Sequence, residues 1–218
     1  MHVAVNAAMS VDGKLASRTR TQLAISGPAD FDRVDRLRAE CDAIMVGVGT
    51  VLADDPSLTV DEPDPEQPAA DRPENPVRVV ADSRARTPPD ANLLDDAAET
   101  IVLVSEAVPT EHVTSLSAAG ASIIEAGTNR VDLDAAFQEL KASGIEHLLV
   151  EGGGELIYSL FEADLVDELS VYVGPLIIGG RDAPTLADGT GFVSDYPELE
   201  LTAVERLDDG VVLSFEAV

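Results

Sequence analysis

Short aliphatic runs of strand length alternate with stretches of helical length along most of the chain, and that alternation restricts the possible folds most severely. Residues 1–8, 43–47, 77–82, 100–104, 121–125 and 147–150 read as strands, most of them without the polar alternation of a half-exposed sheet. Between them, a helix is predicted to open at Ser26-Gly27-Pro28, with Ser26 as its cap and Pro28 in its first turn. Its buried stripe would be Phe31, Val34, Leu37 or Arg38, and Cys41. Further helices are predicted near 109–119, near 132–143 and after Gly154 through Phe161. Strand–helix alternation of this kind builds a largely parallel sheet covered on both faces. The last fifth departs from it: residues 167–173 alternate, and 199–207 and 211–218 flank Asp208-Asp209-Gly210 as an antiparallel hairpin. Leu169, Val171 and Val173, followed by the apolar Leu176-Ile177-Ile178, read as an apolar edge that a second copy would cover, or that the loop 179–195 covers within one chain. The fold class expected is α/β, a mixed and mostly parallel sheet flanked by helices, in a single domain over residues 1–218.

Residues 61–76 interrupt this pattern with five prolines and six acids. They are expected to form a surface loop, too polar to pack and too rich in proline for a helix or sheet. Acid dominates elsewhere too: 14 Lys and Arg stand against 41 Asp and Glu, a net charge of −27. Such a chain repels nucleic acid and anionic membranes, so neither is expected as a partner. Lys14 and Lys141 are its lysines, and the acid is spread along the whole length, a composition suited to high cytoplasmic salt. One cysteine excludes an internal disulfide, and His2, His112 and His147 lack metal-site spacing, so no metal is expected. The opening MHVAVNAAMS reads as a strand rather than a secretory leader, and no apolar run reaches the ~20 residues of a membrane span. A cytoplasmic protein is expected.

Several motifs can carry chemistry. Glu151-Gly152-Gly153-Gly154-Glu155 lies between a buried strand and a helix. Residues without Cβ let a phosphate approach the backbone, and the N–H groups of the first helical turn face it, which outlines a pyrophosphate cradle; a tight turn without a ligand is the alternative. Glu151, at the strand end, would face the same cleft. Gly47-Val48-Gly49-Thr50 lacks the third glycine of a dinucleotide fingerprint, but offers backbone together with Thr50 and Asp54. No Walker A lysine follows a glycine loop, which excludes nucleotide hydrolysis of that type. Asp82-Ser83-Arg84-Ala85-Arg86 sets two of the scarce cations beyond a strand end, where they can bind a phosphate monoester or pair with nearby acids. A 2′-phosphate there would favour NADPH, with NADH still possible. Arg38 interrupts an apolar stripe, and Lys14 follows the Asp12-Gly13 turn.

Taken in order, residues 6–16, Ile25-Ser26-Gly27, Leu37-Arg38, the run 45–60, residues 75–83, Val150-Glu151-Gly152-Gly153-Gly154 and residues 165–169 resemble the reductases of riboflavin biosynthesis. The resemblance covers nearly the whole chain, and the run 49–60 is its most specific part. It implies a dihydrofolate-reductase-like fold, a homodimer, and NADPH-dependent reduction of the ribosyl group of 2,5-diamino-6-(ribosylamino)-4(3H)-pyrimidinone 5′-phosphate to a ribitylamino product. The zinc-deaminase signature of the bifunctional members, H-x-E with P-C-x-x-C, is absent, so the chain is similar to the stand-alone reductases of archaea and fungi. The acid-rich composition fits a salt-loving archaeon.

By that resemblance Thr50, Asp54, Ser83 and the turn of Gly152, Gly153, Gly154 and Glu155 would meet the cofactor, with Asp82, Arg84 and Arg86 added from the reading of their turn. Asn6, Arg38, Leu58 and Glu151 would meet the substrate. Lys14, Asp12 and Glu151 are the candidates for proton transfer, with Lys14 or Arg38 holding the sugar phosphate. Two departures stand out. Asp61 replaces an arginine of bacterial members, and Ala24 replaces their tryptophan. Two other classes fit the same fold: a pterin or dihydrofolate reductase, and a nucleotide-binding protein without activity. The absence of tryptophan and the run 49–60 argue against the first; the intact Lys14, Arg38 and Glu151 argue against the second.

The charge makes its own prediction. Unscreened, −27 on one chain is self-repulsive, so the melting temperature should rise from ~0.1 M to several molar KCl. A melting temperature flat across that range would remove the reading of salt adaptation.

Overall fold

A computed structural model describes residues 1–21, 23–60 and 75–218. The acidic, proline-rich run expected as a loop lies, from residue 61 to 74, outside the described residues, and Asp61 with it.

Nine strands and five α-helices follow one another as β1 (His2–Ser10), α1 (Pro28–Glu40), β2 (Ala43–Gly47), α2 (Val48–Asp54), β3 (Val77–Ala81), β4 (Thr100–Val104), α3 (Thr110–Ala118), β5 (Ser122–Glu125), α4 (Leu133–Ala142), β6 (His147–Gly152), α5 (Gly154–Glu162), β7 (Glu168–Gly174), β8 (Leu199–Leu207) and β9 (Gly210–Ala217). The strand order in the sheet is β5-β4-β3-β2-β6-β1-β7-β9-β8. The mixed, mostly parallel sheet with antiparallel C-terminal strands is the architecture expected from the sequence. By packing, the chain divides into two compact units.

The first unit holds Met1 and Asp35–Leu149. β2, β3, β4 and β5 pair in parallel, with Ile44 opposite Arg78 and Arg78 opposite Thr100. Ile44, Val46, Val80, Val102 and Val104 pack with Val48, Val51 and Leu58 into one buried cluster. Amid these apolar strands Arg78 is fully buried. Its Nη1 donates to the Leu93 carbonyl at 2.8 Å and to Asp95 Oδ1 at 2.8 Å. The N–H of Ala97, and then Arg78, hold the Asp95 carboxyl below its ordinary pKa.

The second unit holds His2–Val34 and Val150–Val218. β1 runs parallel to β7, which pairs antiparallel with β9, and β9 in turn with β8. Leu207 and Gly210 are paired, so Asp208 and Asp209 make a two-residue turn, with Asp208 at a φ of 49°. That turn corrects the expected cap of α1. Instead of Ser26, Asp208 accepts from the N–H groups of Ala29 (3.4 Å) and Asp30 (3.2 Å), an N-terminal cap supplied from a distant hairpin and worth about 1 kcal/mol. A side chain at Gly27 would place its Cβ 2.7 Å from Asp208 Cγ, so only glycine lets the turn dock.

Two further expectations fail. Phe31 is 59% exposed, whereas Asp30 is the buried residue of α1. The first turns of the helix instead face inward with an ion pair between Asp30 and Arg33, which a search for apolar periodicity passes over, while further along Val34, Leu37 and Arg38 are half-buried and Cys41 packs against the core, as expected. The segment expected to form an apolar edge, residues 169–178, is not one: β7 lies between β1 and β9, and Leu176 and Ile178 pack onto Ile25, Tyr172 and Val212. The edge is β8, with its seven interior residues all exposed.

Candidate active site

Asp12, Lys14, Asp82, Ser83, Arg84, Arg86 and residues 151–155 lie at the C-terminal ends of strands, whereas Asn6 is within β1, Arg38 on α1, and Thr50 and Asp54 on α2; each unit holds its own set.

In the second unit β1 ends in the turn carrying Asp12 and Lys14. Asp12 accepts from Ser10 Oγ (2.6 Å) and from the N–H groups of Ile178 (3.1 Å) and Gly179 (2.7 Å). These bonds, the Ser10 hydroxyl foremost, lower its pKa to about 2. Because the folded pKa is depressed, the stabilisation by this carboxylate is present above its unfolded value of 3.8 and is lost as pH falls towards 2. At neutral pH Asp12 is an acceptor with no proton to give. Lys14 donates from Nζ to the Ala183 carbonyl at 3.0 Å, and its backbone bridges to Thr185. Asp12 and Lys14 thus grip the same segment, 178–185, from one side.

That segment runs on to the glycine-rich turn, whose three glycines have three different reasons. Gly152 closes β6 at a φ of 128°, a conformation L side chains rarely adopt, and the space where its Cβ would lie is open. Gly153 is the extended N-cap of α5. Gly154 is needed for packing: a Cβ there would overlap the Thr185 carbonyl, and its own carbonyl accepts from the Asp188 N–H at 2.9 Å. The N–H groups of Gly154 and Glu155 have no acceptor within the helix. Open space over Gly152 beside those donors fits a phosphate of a dinucleotide, so two glycines of the triplet can serve the cradle while the third serves the fold. Glu151 is the penultimate residue of β6 and half-buried.

Asn6, on β1, is buried, and its partners were not visible in the sequence. Arg33 Nη2 donates to Asn6 Oδ1 at 2.8 Å, Nη1 to Ser170 Oγ at 2.9 Å and Nε to Asp30 Oδ1 at 2.9 Å. Asp30 and Arg33 one turn apart on a helix were the available signal.

In the first unit, Arg38 Nη1 donates to the Thr59 carbonyl at 2.8 Å and lies 3.9 Å from Asp35, which brings it beside Leu58. Leu58 has a φ of 52° and its side chain is in the core, leaving its backbone as the part able to meet a ligand. Thr50 is on α2, near Gly49, where the space for a Cβ is open. Asp54 is pushed up from its ordinary pKa by desolvation. Its neighbour Asp55 is occupied with Asn92, accepting from the backbone N–H at 2.9 Å.

Beyond β3, the turn 82–87 is organised by Asp82, which is fully buried and accepts from Thr87 N–H (2.7 Å) and Thr87 Oγ1 (2.8 Å). Asp82 therefore shapes the turn rather than offering its carboxylate outward. Ser83 Oγ accepts from the Val131 N–H at 3.0 Å. Arg84 and Arg86 are exposed, with Arg86 Nε 4.0 Å from Asp82. Among the described residues no cluster of three His, Cys, Asp or Glu could hold a metal ion, and no helix is long and apolar enough to cross a membrane.

Turns at the strand ends of a mixed sheet are where α/β enzymes bind their ligands. More particularly, the chain belongs to the family described as the RibD C-terminal domain, which it matches over residues 1–213. It is 48% identical over 216 residues to the 2,5-diamino-6-ribosylamino-4(3H)-pyrimidinone 5′-phosphate reductase of Methanothermobacter thermautotrophicus, spanning 98% of this chain and 97% of that one. To the protein of the same name from Archaeoglobus fulgidus it is 46% identical, over 98% and 96%. The solved structure of Acinetobacter baumannii RibD superposes with a TM-score of 0.80 at 27% identity, covering all of this chain and 58% of that one.

Proposed function

We propose that this chain reduces 2,5-diamino-6-(ribosylamino)-4(3H)-pyrimidinone 5′-phosphate to its ribitylamino product with NADPH, in the cytoplasm, as a step of riboflavin biosynthesis. The observation that carries the reading is the full-length likeness to two archaeal reductases of that name. In this mechanism the N–H proton of the ribosylamine passes to the ring oxygen as the sugar opens to an imine, C1′=N; hydride added at C1′ then leaves the C=N electron pair on the nitrogen, which takes up one proton in a site that excludes water. The nicotinamide supplies the hydride when bound. Lys14 is the proton donor: its amine has three N–H positions and Ala183 engages one. Asp12, already ionised, fixes the turn from which Lys14 projects. Within the second unit, Glu151 orients the substrate and the Gly152 turn receives a phosphate of the cofactor.

Purified protein should therefore oxidise NADPH when given the ribosylaminopyrimidine phosphate and stay idle with dihydrofolate, followed by near-ultraviolet absorbance. Turnover of dihydrofolate alone would replace this reading by that of a folate reductase. Exposed Arg84 and Arg86 read the 2′-phosphate of NADPH in this scheme. Replacing both by Ala should weaken NADPH binding by about 1–3 kcal/mol and leave NADH binding unchanged; equal losses would show that they do not read that phosphate.

The working unit in this proposal is a homodimer joined through the hairpin edge. Leu201 and Val204 on β8 are 52% and 62% exposed, on a strand whose outer hydrogen-bonding edge is open. Covering such an edge with a second copy removes an aggregation hazard. Light scattering in molar KCl should give twice 22.9 kDa, and a mass of 22.9 kDa at micromolar concentration would mean a monomer.

A further inference from the structure

We propose that Arg33 is a positioning residue that fixes the Asn6 side chain with its amide nitrogen facing the substrate, so that this site selects a hydrogen-bond acceptor, such as a ring carbonyl or sugar oxygen, at that point. The inference rests on the reductase reading above and adds the sense of one contact within it.

A guanidinium can only donate. Arg33 Nη2 approaches Asn6 at 2.8 Å, so the atom facing it must be the amide oxygen; a flipped amide would set two donors against each other. The guanidinium is itself immobilised at its other two nitrogens by buried Asp30 on its own helix and by Ser170 on β7, directly across from Asn6 in the sheet. Three elements thereby converge on one amide. Asn6 Nδ2 then points away from Arg33. It has no hydrogen-bond partner among the described residues, yet it is not one of the fully enclosed unpaired polar atoms, which are Nε and Nη2 of Arg78. A donor with restricted orientation and some access to solvent is suited to an oxygen acceptor on a ligand and disfavours an N–H at the same place. The acceptor sense distinguishes this position from an acidic one, which would select a ring N–H.

The test is a comparison of steady-state constants in molar KCl for wild type, Asn6→Asp, Asn6→Ala, Arg33→Met and the double variant Asn6→Ala with Arg33→Met. Asn6→Asp keeps an anchor for Arg33 and so protects the fold while turning the outward donor into an acceptor. The Michaelis constant for the pyrimidine substrate should rise by more than about tenfold, with that for NADPH unchanged. Arg33→Met should raise the same constant by about three- to tenfold, and in the Asn6→Ala background it should add less than about twofold, because Arg33 acts through Asn6. A full additional effect of Arg33→Met in that background would assign Arg33 a role of its own and overturn the proposal, as would an unchanged Michaelis constant in Asn6→Asp. Should Arg33→Met fail to fold, Ser170→Ala, which releases one arm of the clamp, takes its place with the same expected pattern. A wild type that never turns over the pyrimidine substrate would instead defeat the functional reading, so the two failures are distinct.

Discussion

A strand in the middle of a parallel sheet must satisfy its backbone in the ladder while both of its faces are buried, and nearly every choice this chain makes follows from that. Ala43, Ile44, Met45 and Val46 on β2, and Val79 and Val80 on β3, are all at or near zero exposure. Positions of that kind have no room for side chains that must meet water or a ligand. Polar groups are therefore displaced to the turns where strands end: Asp12 and Lys14 after β1, Asp82 and Ser83 after β3, Glu151 at the close of β6. Among the exceptions, which include Asn6 within β1, Arg78 is the charged one. Arg78 sits within β3, and the Leu93 carbonyl and Asp95 are both spent on one of its nitrogens.

The same constraint decides what could be read from the sequence. Strands β1–β4 and β6 announce themselves as aliphatic runs because most of their residues are buried, while β5, at the sheet's edge, shows only its half-buried Ile123 and Ile124; the expected positions of all six agree with the structure to within two residues. The hairpin is equally legible, since Asp208-Asp209-Gly210 has the chemistry of a tight turn. Helix α1 is where the reading fails. Its position is right, but the inner face of its first turns is built on Asp30 and Arg33, and a polar contact that satisfies itself leaves no trace in hydrophobic periodicity. The edge was also misplaced, because β7 has the apolar alternation expected at an exposed boundary while the strands that cover it, β1 and β9, are distant from it in opposite directions along the chain.

Site residues were legible as types and not as roles. The Asp12-Gly13-Lys14 turn suggests three interchangeable proton carriers with Glu151, but only the fold shows that Asp12 is saturated by Ser10, Ile178 and Gly179. Ser10 is two positions away, but the N–H groups of Ile178 and Gly179 come from 166 and 167 positions away, and no local pattern encodes them. Likewise Gly152, Gly153 and Gly154 look equivalent in a string of letters. One answers a backbone angle, one begins a helix and one admits the loop at Thr185 and Asp188.

The preference for arginine over lysine belongs to the same economy. With 41 acids to 14 cations, any cation kept inside the fold must be there for geometry rather than for charge balance. Arg33 binds α1, β1 and β7 through three separate nitrogens, and Arg38 ties its helix to the Thr59 carbonyl. A lysine offers one nitrogen on a flexible stem and cannot hold three acceptors in a plane. Lys14 is the instructive contrast. It needs a single compact donor on a short turn, and it makes one side-chain bond, to Ala183. Where the fold asks for a fork the chain uses arginine, and where a single donor meets a single carbonyl it uses Lys14.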